Sequence, residues 1–319
     1  MGDTRPFVSV LTPTYNRRRF IPTAIACFKA QGYPQDRMEW IILDDGTDKV
    51  ADLFDPKVTG LKNVKYVALP EGVKLPIGAK RNRLNEMAKG DIVVCWDDDD
   101  YYPPERVQKA VFKLRSYKGK TVSVVGSSKL HLYFSDRDEI WTIGPYNPNH
   151  CTNGTMAYWR SYFGPNRYDD TAEKAEEKKF MQGFTIPVGQ LTSEETMLVI
   201  CHAHNTFDKR ILLKQNNPML KTCGTKMRQL VKDKKIRDFY LELARDYKEL
   251  DARVAAEEAA KKGGAGSGPV APASAPAAAT APASAPASAA APAASVVAAT
   301  AAAAAEPEDK KVTDSSGAV

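Results

Sequence analysis

The chain has 319 residues, 26% of them charged, and carries a formal net charge of +6. The stretch after Lys262 holds four acidic and two basic residues, so residues 1–262 carry +8. No run reaches the roughly 18 apolar residues of a membrane span. The start MGDTRPF lacks a signal peptide's charged and apolar regions, and five scattered cysteines without a C-x-x-C pair exclude a disulfide framework or a zinc knuckle. A soluble protein of a reducing, cytoplasmic compartment is expected.

Taken in chain order, short β-branched runs alternate with helix-like segments. Strands are expected at Phe7 to Thr12, Trp40 to Leu43, Val64 to Val67, Ile92 to Trp96 and Val122 to Val125. Helices are expected at Arg18 to Ala30, Ala79 to Lys89 and Glu105 to Tyr117, with Gly90 as a C-terminal stop and Pro103-Pro104 as a start. Such alternation predicts an α/β fold with a mainly parallel central sheet flanked by helices. Apolar residues Ile236, Phe239, Leu243, Tyr247, Leu250 and Val254 recur three or four apart, which predicts one long charged helix over 225–262. The helix is expected to dock on its own domain, with a dimer or peripheral membrane contact as the alternatives. Residues 263–319 are nearly all Ala, Pro, Ser, Gly, Thr and Val, and predict a disordered tail. The folded domain is thereby set at 1–224.

In open α/β sheets, ligands gather beyond the carboxyl ends of the strands. Three of those ends are polar here: Pro13-Thr14-Tyr15-Asn16-Arg17, Asp44-Asp45-Gly46 and Asp97-Asp98-Asp99-Asp100. Four consecutive aspartates repel one another unless spread over turns or neutralised, and a divalent cation is the usual neutraliser. In an extended segment Asp97 and Asp99 point the same way and can share one ion, which leaves Asp98 for a ribose hydroxyl. Lys80 and Arg81 stand near a predicted helix start, where helix N-terminus and side chains together could face phosphate.

The strings TPTYNR, ILDDG and GAKRNRLNEMAKGDIVVCWDDDDYY resemble the nucleotide-binding half of family 2 glycosyltransferases, continuously over residues 7 to 102. The resemblance implies the GT-A (nucleotide-diphospho-sugar transferase) fold and inverting transfer from a nucleotide-diphosphate sugar, most commonly a UDP-sugar, to a hydroxyl acceptor. It further implies that Pro13, Tyr15, Asn16, Asp44 and Asp45 hold base and ribose, with either aspartate as the base contact, and that Asp97 and Asp99 form the D-x-D metal motif; Thr12 and Arg17, beside the first turn, are further candidates for the nucleotide-sugar site.

Beyond Val125 the resemblance continues in pieces. Ala175-Glu176-Glu177-Lys178 looks like the family's Glu-Asp pair, which makes Glu177 the expected catalytic base, although Glu176 and nearby acids are close enough to be confused with it. Cys201-His202-Ala203-His204-Asn205-Thr206 follows an apolar strand, Met197 to Ile200, and resembles the late His-x-x-Asn segment that completes the metal shell in some GT-A enzymes. Alignment on Asn205 favours His202 over His204, and an imidazole ligand points to Mn2+ over Mg2+. The turn-rich stretch from Gly144 to Thr155 is the expected acceptor pocket, with Tyr146, His150 and Asn153 its candidate contacts for a glycan, protein-glycan or small-molecule acceptor. A nucleotidyltransferase would want a glycine-rich triphosphate loop that TPTYNRRRF lacks. A sugar-nucleotide or glycan-binding protein without turnover would not need an acidic base. The basic surface comes with no nucleic-acid motif, so no specific nucleic acid is expected.

Overall fold

The computed structural model describes residues 4–117, 122–215 and 217–263. Its main sheet is formed by β1 (Val8–Thr14), β2 (Met38–Asp44), β3 (Val64–Ala68), β4 (Ile92–Cys95), β5 (Val124–Gly126), β8 (Ala157–Trp159) and β9 (Val188–Gln190), in the order β3-β2-β1-β4-β8-β5-β9. The first four strands are mutually parallel, β8 runs antiparallel to β4 and β5, and β9 returns parallel to β5. Alternate residues of the central strands enter two separate cores. Val10, Trp40, Ile42, Val94 and Trp96 face one; Leu11, Ile41, Leu43, Val93 and Cys95 face the other. A sheet covered on both faces reads as an unbroken apolar run, which is why these strands were legible without alternation.

The helices Ile21–Lys29 and Arg106–Ser116 lie within the expected segments, and Ile77–Met87 begins two residues before the expected Ala79. Gly90 does not cap Ile77–Met87, which ends through an extended Ala88. A Cβ at Gly90 would lie 2.5 Å from Ser9 N, so the glycine is needed where the chain crosses β1 closely. Its N–H donates to Ser9 Oγ at 2.7 Å.

Of a second, four-stranded sheet only the strand at Met197 to Ile200 was expected. This sheet consists of β6 (Leu130–Phe134), β7 (Glu139–Ile143), β10 (Leu198–Cys201) and β11 (Leu220–Thr222), in the order β10-β6-β7-β11. β6 and β7 form a hairpin, with Asp138 in the left-handed region at φ 51°. Asp100 Oδ1 accepts from Ile200 N at 2.7 Å, and Tyr101 bridges Leu198, so the aspartate run is tied directly to β10.

The long helix expected over 225–262 is broken. Helical turns span Met227–Leu230, Lys234–Glu242 and Ala244–Gly263. Val231 is extended, and Asp233 restarts the helix by accepting from Lys235 N and Ile236 N. Ile236, Tyr240, Leu243 and Tyr247 are buried against the domain, whereas Val254 is exposed. The expected disordered tail lies outside the described residues.

Candidate active site

The loop after β1 is built around Asn16, whose backbone is left-handed at φ 53°. Its Oδ1 accepts from Thr47 N at 2.7 Å and Asp48 N at 3.0 Å, locking the first strand end to the second. Thr12 is buried within β1 and accepts from Trp40 Nε1 at 2.8 Å, and Pro13 is buried beside it. Both support the turn from within the sheet. Tyr15 is half-buried, with Lys74 and Lys80 ammonium groups 4.3 and 5.7 Å from its ring centre.

Asp44 is spent on its own loop. It accepts from Gly46 N at 2.8 Å and Tyr66 Oη at 2.6 Å. Asp45 accepts from Leu75 N at 2.9 Å and pairs with Lys80 Nζ, which also donates to Thr14 O at 3.1 Å. Burial pulls Lys80 below the usual lysine range, against the opposing pull of Asp45. Lys80 thus ties two strand ends together. The adjacent helix N-terminus is not open to an anion either. Gly78 N donates to Ala172 O at 3.1 Å, and a Cβ there would collide with Asp169 O. That part of the phosphate expectation is corrected: the segment 168–172 already covers the helix end.

The aspartates lie at the carboxyl end of β4. Asp97, Asp99 and Asp100 line a cleft of about 220 Å³ together with Arg81, Glu176 and Glu177. Arg81, fully surrounded by protein, donates through Nε to Glu176 Oε1 at 2.7 Å and through Nη2 to Asp97 Oδ1 at 3.1 Å. With the Asn153 amide in the orientation that satisfies its neighbours, its oxygen accepts from Arg81 Nη1 at 2.6 Å and its nitrogen donates to Tyr168 Oη at 2.7 Å. Asn153 therefore orients Arg81. Gly154 is required by proximity, because a Cβ would lie 2.7 Å from Asp97 Oδ2.

Electrostatics separate the four carboxylates. Burial, reinforced by Asp99, pushes Asp98 up to about 8, and burial also raises Asp97 and Asp100. Asp99 is the exception: against its burial, His202, Arg17 and Lys209 hold it well below the usual carboxylate range. Arg17 spans the pair, 3.7 Å from Asp98 Oδ1 and 3.5 Å from Asp99 Oδ2. Glu177 is buried and pushed up to about 8, first by burial and then by Glu176.

His202 Nε2 lies 3.3 Å from Asp99 Oδ2, and its ring stacks on Phe20 at 4.5 Å. His204 N–H donates to His202 Nδ1 at 3.1 Å, which leaves the imidazole proton on Nε2, directed at Asp99. As a metal ligand through Nε2, His202 would have to give up that backbone bond. His204 turns away and meets Asp246 at 3.1 Å. Asn205 also reaches Asp99 Oδ2, at 3.4 Å.

Among the described residues no three His, Cys, Asp or Glu side chains form a ready metal cage. The chemistry of the donors nevertheless fits a divalent cation. Buried carboxylates with raised pKa values carry uncompensated repulsion, and a hard cation is the neutraliser their oxygens suit.

Of the expected acceptor contacts, Tyr146 and Asn153 line the cleft. His150 does not. It is packed between Tyr146 and Phe184, both ring nitrogens lack partners, and burial lowers it to about 4. Missed from sequence were Lys209 and an apolar wall of Leu130, Leu132, Met197 and Val199. These residues come from β6, β10 and their flanks, where they read as ordinary core; Lys209 carried no signal.

A Rossmann-like parallel sheet whose carboxyl ends carry buried aspartates, extended by an antiparallel strand and a smaller second sheet, defines the GT-A class of fold. Residues 9–163 match the family described as Glycosyl transferase family 2. The match includes the aspartates and stops short of Glu177 and His202. The chain is 31% identical over 110 residues to a putative teichuronic acid biosynthesis glycosyltransferase, TuaG, of Bacillus subtilis, covering 34% of this chain and 42% of that protein. It is 30% identical over 103 residues to the poly(ribitol-phosphate) beta-N-acetylglucosaminyltransferase TarS of Staphylococcus aureus, covering 32% and 18%. The matched stretches thus span less than half the length of these curated relatives. A solved mannosyltransferase, PcManGT of Pyrobaculum calidifontis, in complex with GDP-Man and Mn2+, aligns with a TM-score of 0.48 at 18% identity, covering 82% of this chain and 76% of that one.

Proposed function

We propose that the protein is an inverting glycosyltransferase that moves a sugar from a nucleoside diphosphate, UDP in the first instance, to a hydroxyl acceptor. The observation that carries this reading is the shared cleft, in which the aspartates and a buried glutamate pair are joined by Arg81. The Tyr15 and Asp45 loops would receive base and ribose, and Asp98 a ribose hydroxyl. Asp97 and Asp99 would hold the divalent cation, Mn2+ before Mg2+. When bound, that cation offsets the charge that develops on the departing diphosphate.

The chain's own groups supply the rest. Arg17 and Lys209 lie beside Asp99, where each can meet a phosphate oxygen. Glu176 is engaged by Arg81, so Glu177 is the carboxylate left to act as base. Its raised pKa suits a group that must take a proton near neutral pH. The acceptor O–H gives its proton to Glu177 as its oxygen bonds to the anomeric carbon, while the bond from that carbon to the diphosphate oxygen breaks on the opposite side. The apolar wall formed by Leu130, Leu132, Met197 and Val199 would bear on the acceptor's less polar face.

The test is incubation with a panel of nucleotide sugars and Mn2+, with release of nucleoside diphosphate as readout. Metal-dependent release from one donor, lost in Asp99→Ala, is expected. Absence of both release and binding for every donor would overturn the reading. Among the described residues no helix is long and apolar enough to cross a membrane.

A further inference from the structure

The amino end of the parallel strands, opposite the aspartates, gathers four arginines. Arg5 precedes β1, Arg37 precedes β2, Arg160 follows β8, and Arg115 lies in the last turn of the helix Arg106–Ser116. All four line a concavity of about 580 Å³, and Arg5 and Arg115 also border a second of about 520 Å³. Arg18, Arg81, Arg167 and Arg210 sit against carboxylates. Among the described residues Arg37, Arg115 and Arg160 form no such pair. Arg37 Nε donates to Arg5 O at 3.2 Å, and Arg160 Nε donates to Gly90 O at 2.8 Å. Backbone carbonyls thus fix these two forks by one edge and leave their remaining N–H groups to the basin. Among the described residues its lining holds one carboxylate, Asp91, which accepts from Phe7 N at 3.0 Å.

The second concavity adds an apolar element. Its wall includes Val111 and Phe112, and Phe112 is 72% exposed. Guanidinium forks without carboxylates match phosphate oxygens in geometry and charge. An exposed aromatic ring flanked by cations is the composition of a membrane-interface contact. A soluble phosphate would account for the arginines and leave Phe112 unexplained.

We propose that this end of the sheet binds the phosphate headgroup of an anionic lipid, with the arginine basin holding the phosphate and Phe112 entering the acyl boundary. The aspartate cleft lies at the other ends of the same strands, about 20 Å away along the sheet. It would remain open to solution while the protein rests on the membrane. The inference does not depend on the transferase reading.

The full-length chain is sedimented in EDTA with vesicles of phosphatidylcholine alone and with vesicles that also contain phosphatidate, beside Arg115→Glu and Phe112→Ser. Both side chains are exposed, and thermal melting checks that each variant is folded. Salt-sensitive binding to the phosphatidate vesicles is expected, weakened at least about tenfold by Arg115→Glu and about fivefold by Phe112→Ser. No phosphatidate-dependent binding, or binding that both variants retain, overturns the proposal. Inorganic pyrophosphate separates the sources: if it binds in an Arg115-dependent way while vesicles do not, the ligand is a soluble phosphate and the lipid assignment fails.

Discussion

The two halves of the proposed site are assembled in different ways. The proposed donor side comes from the ends of β2, β1 and β4, neighbours in the sheet, in which each candidate residue sits within a few positions of a β-branched run. The acceptor side is collected from β6, β10, the Glu176-Glu177 turn and the loop after Cys201, whose members are far apart in sequence. Arg81 joins the halves, with Asp97 on one arm and Glu176 on the other. On the proposed reading, donor binding would rest on a local motif and acceptor activation on tertiary structure.

Variants can break that division. The largest effect is expected from Asp99→Ala, a loss of about a thousandfold in nucleoside diphosphate release under saturating Mn2+. Glu177→Gln comes next, with transfer to acceptor down about a hundredfold while donor binding, followed by calorimetry, stays intact. If donor binding falls in parallel, the two halves are not separable.

The same variant sharpens the comparison through pH. Burial raises Glu177 to about 8, so its basic form accumulates only as pH climbs through that value. Transfer by the wild type should rise through about pH 8 and level off above it, and Glu177→Gln should lose that rise. Stability should move the other way: ionising a buried acid of raised pKa costs folding free energy between the ordinary carboxylate range and about 8. The melting temperature of the wild type should therefore fall relative to Glu177→Gln between pH 6 and pH 9.

His202→Leu removes a hydrogen-bond donor from Asp99 and should weaken metal-supported turnover about tenfold, measured as a Mn2+ titration. His204→Ala, which touches Asp246 instead, should leave that titration unchanged. Gly154→Ala is expected to have the smallest effect on chemistry, a few-fold drop in turnover. Its new methyl group must displace Asp97 or Met197, at a cost of about 1–3 kcal/mol in thermal or urea unfolding.

Much of the fold was legible because β1, β2 and β4 are buried on both faces and are punctuated by polar turns. Of the second sheet only β10 was, as the apolar run Met197 to Ile200; β6, β7 and β11 span three to five residues and look like loop between turn formers. Roles were harder to read than positions. Lys80 and Arg81 were read as phosphate contacts, but their partners, Asp45 and Glu176, are fixed by the fold. His150 looked like a contact because polar residues surround it in sequence; in space aromatic rings do. The helix break before Asp233 had a visible sign, an aspartate in N-cap position, which the apolar stripe running through it concealed.

The terminal helix has a consequence of its own. Asp246 reaches both Arg19, at 2.5 Å, and His204, while Asp251 takes Arg210 at 3.0 Å. Arg210 also lies over the Tyr247 ring at 4.0 Å. The loop that carries His202, Asn205 and Lys209 is therefore latched from outside by the first turns of the helix Ala244–Gly263. A truncation ending at Leu243 would keep every cleft residue yet release the latch, leaving a complete set of catalytic groups whose tension is no longer set.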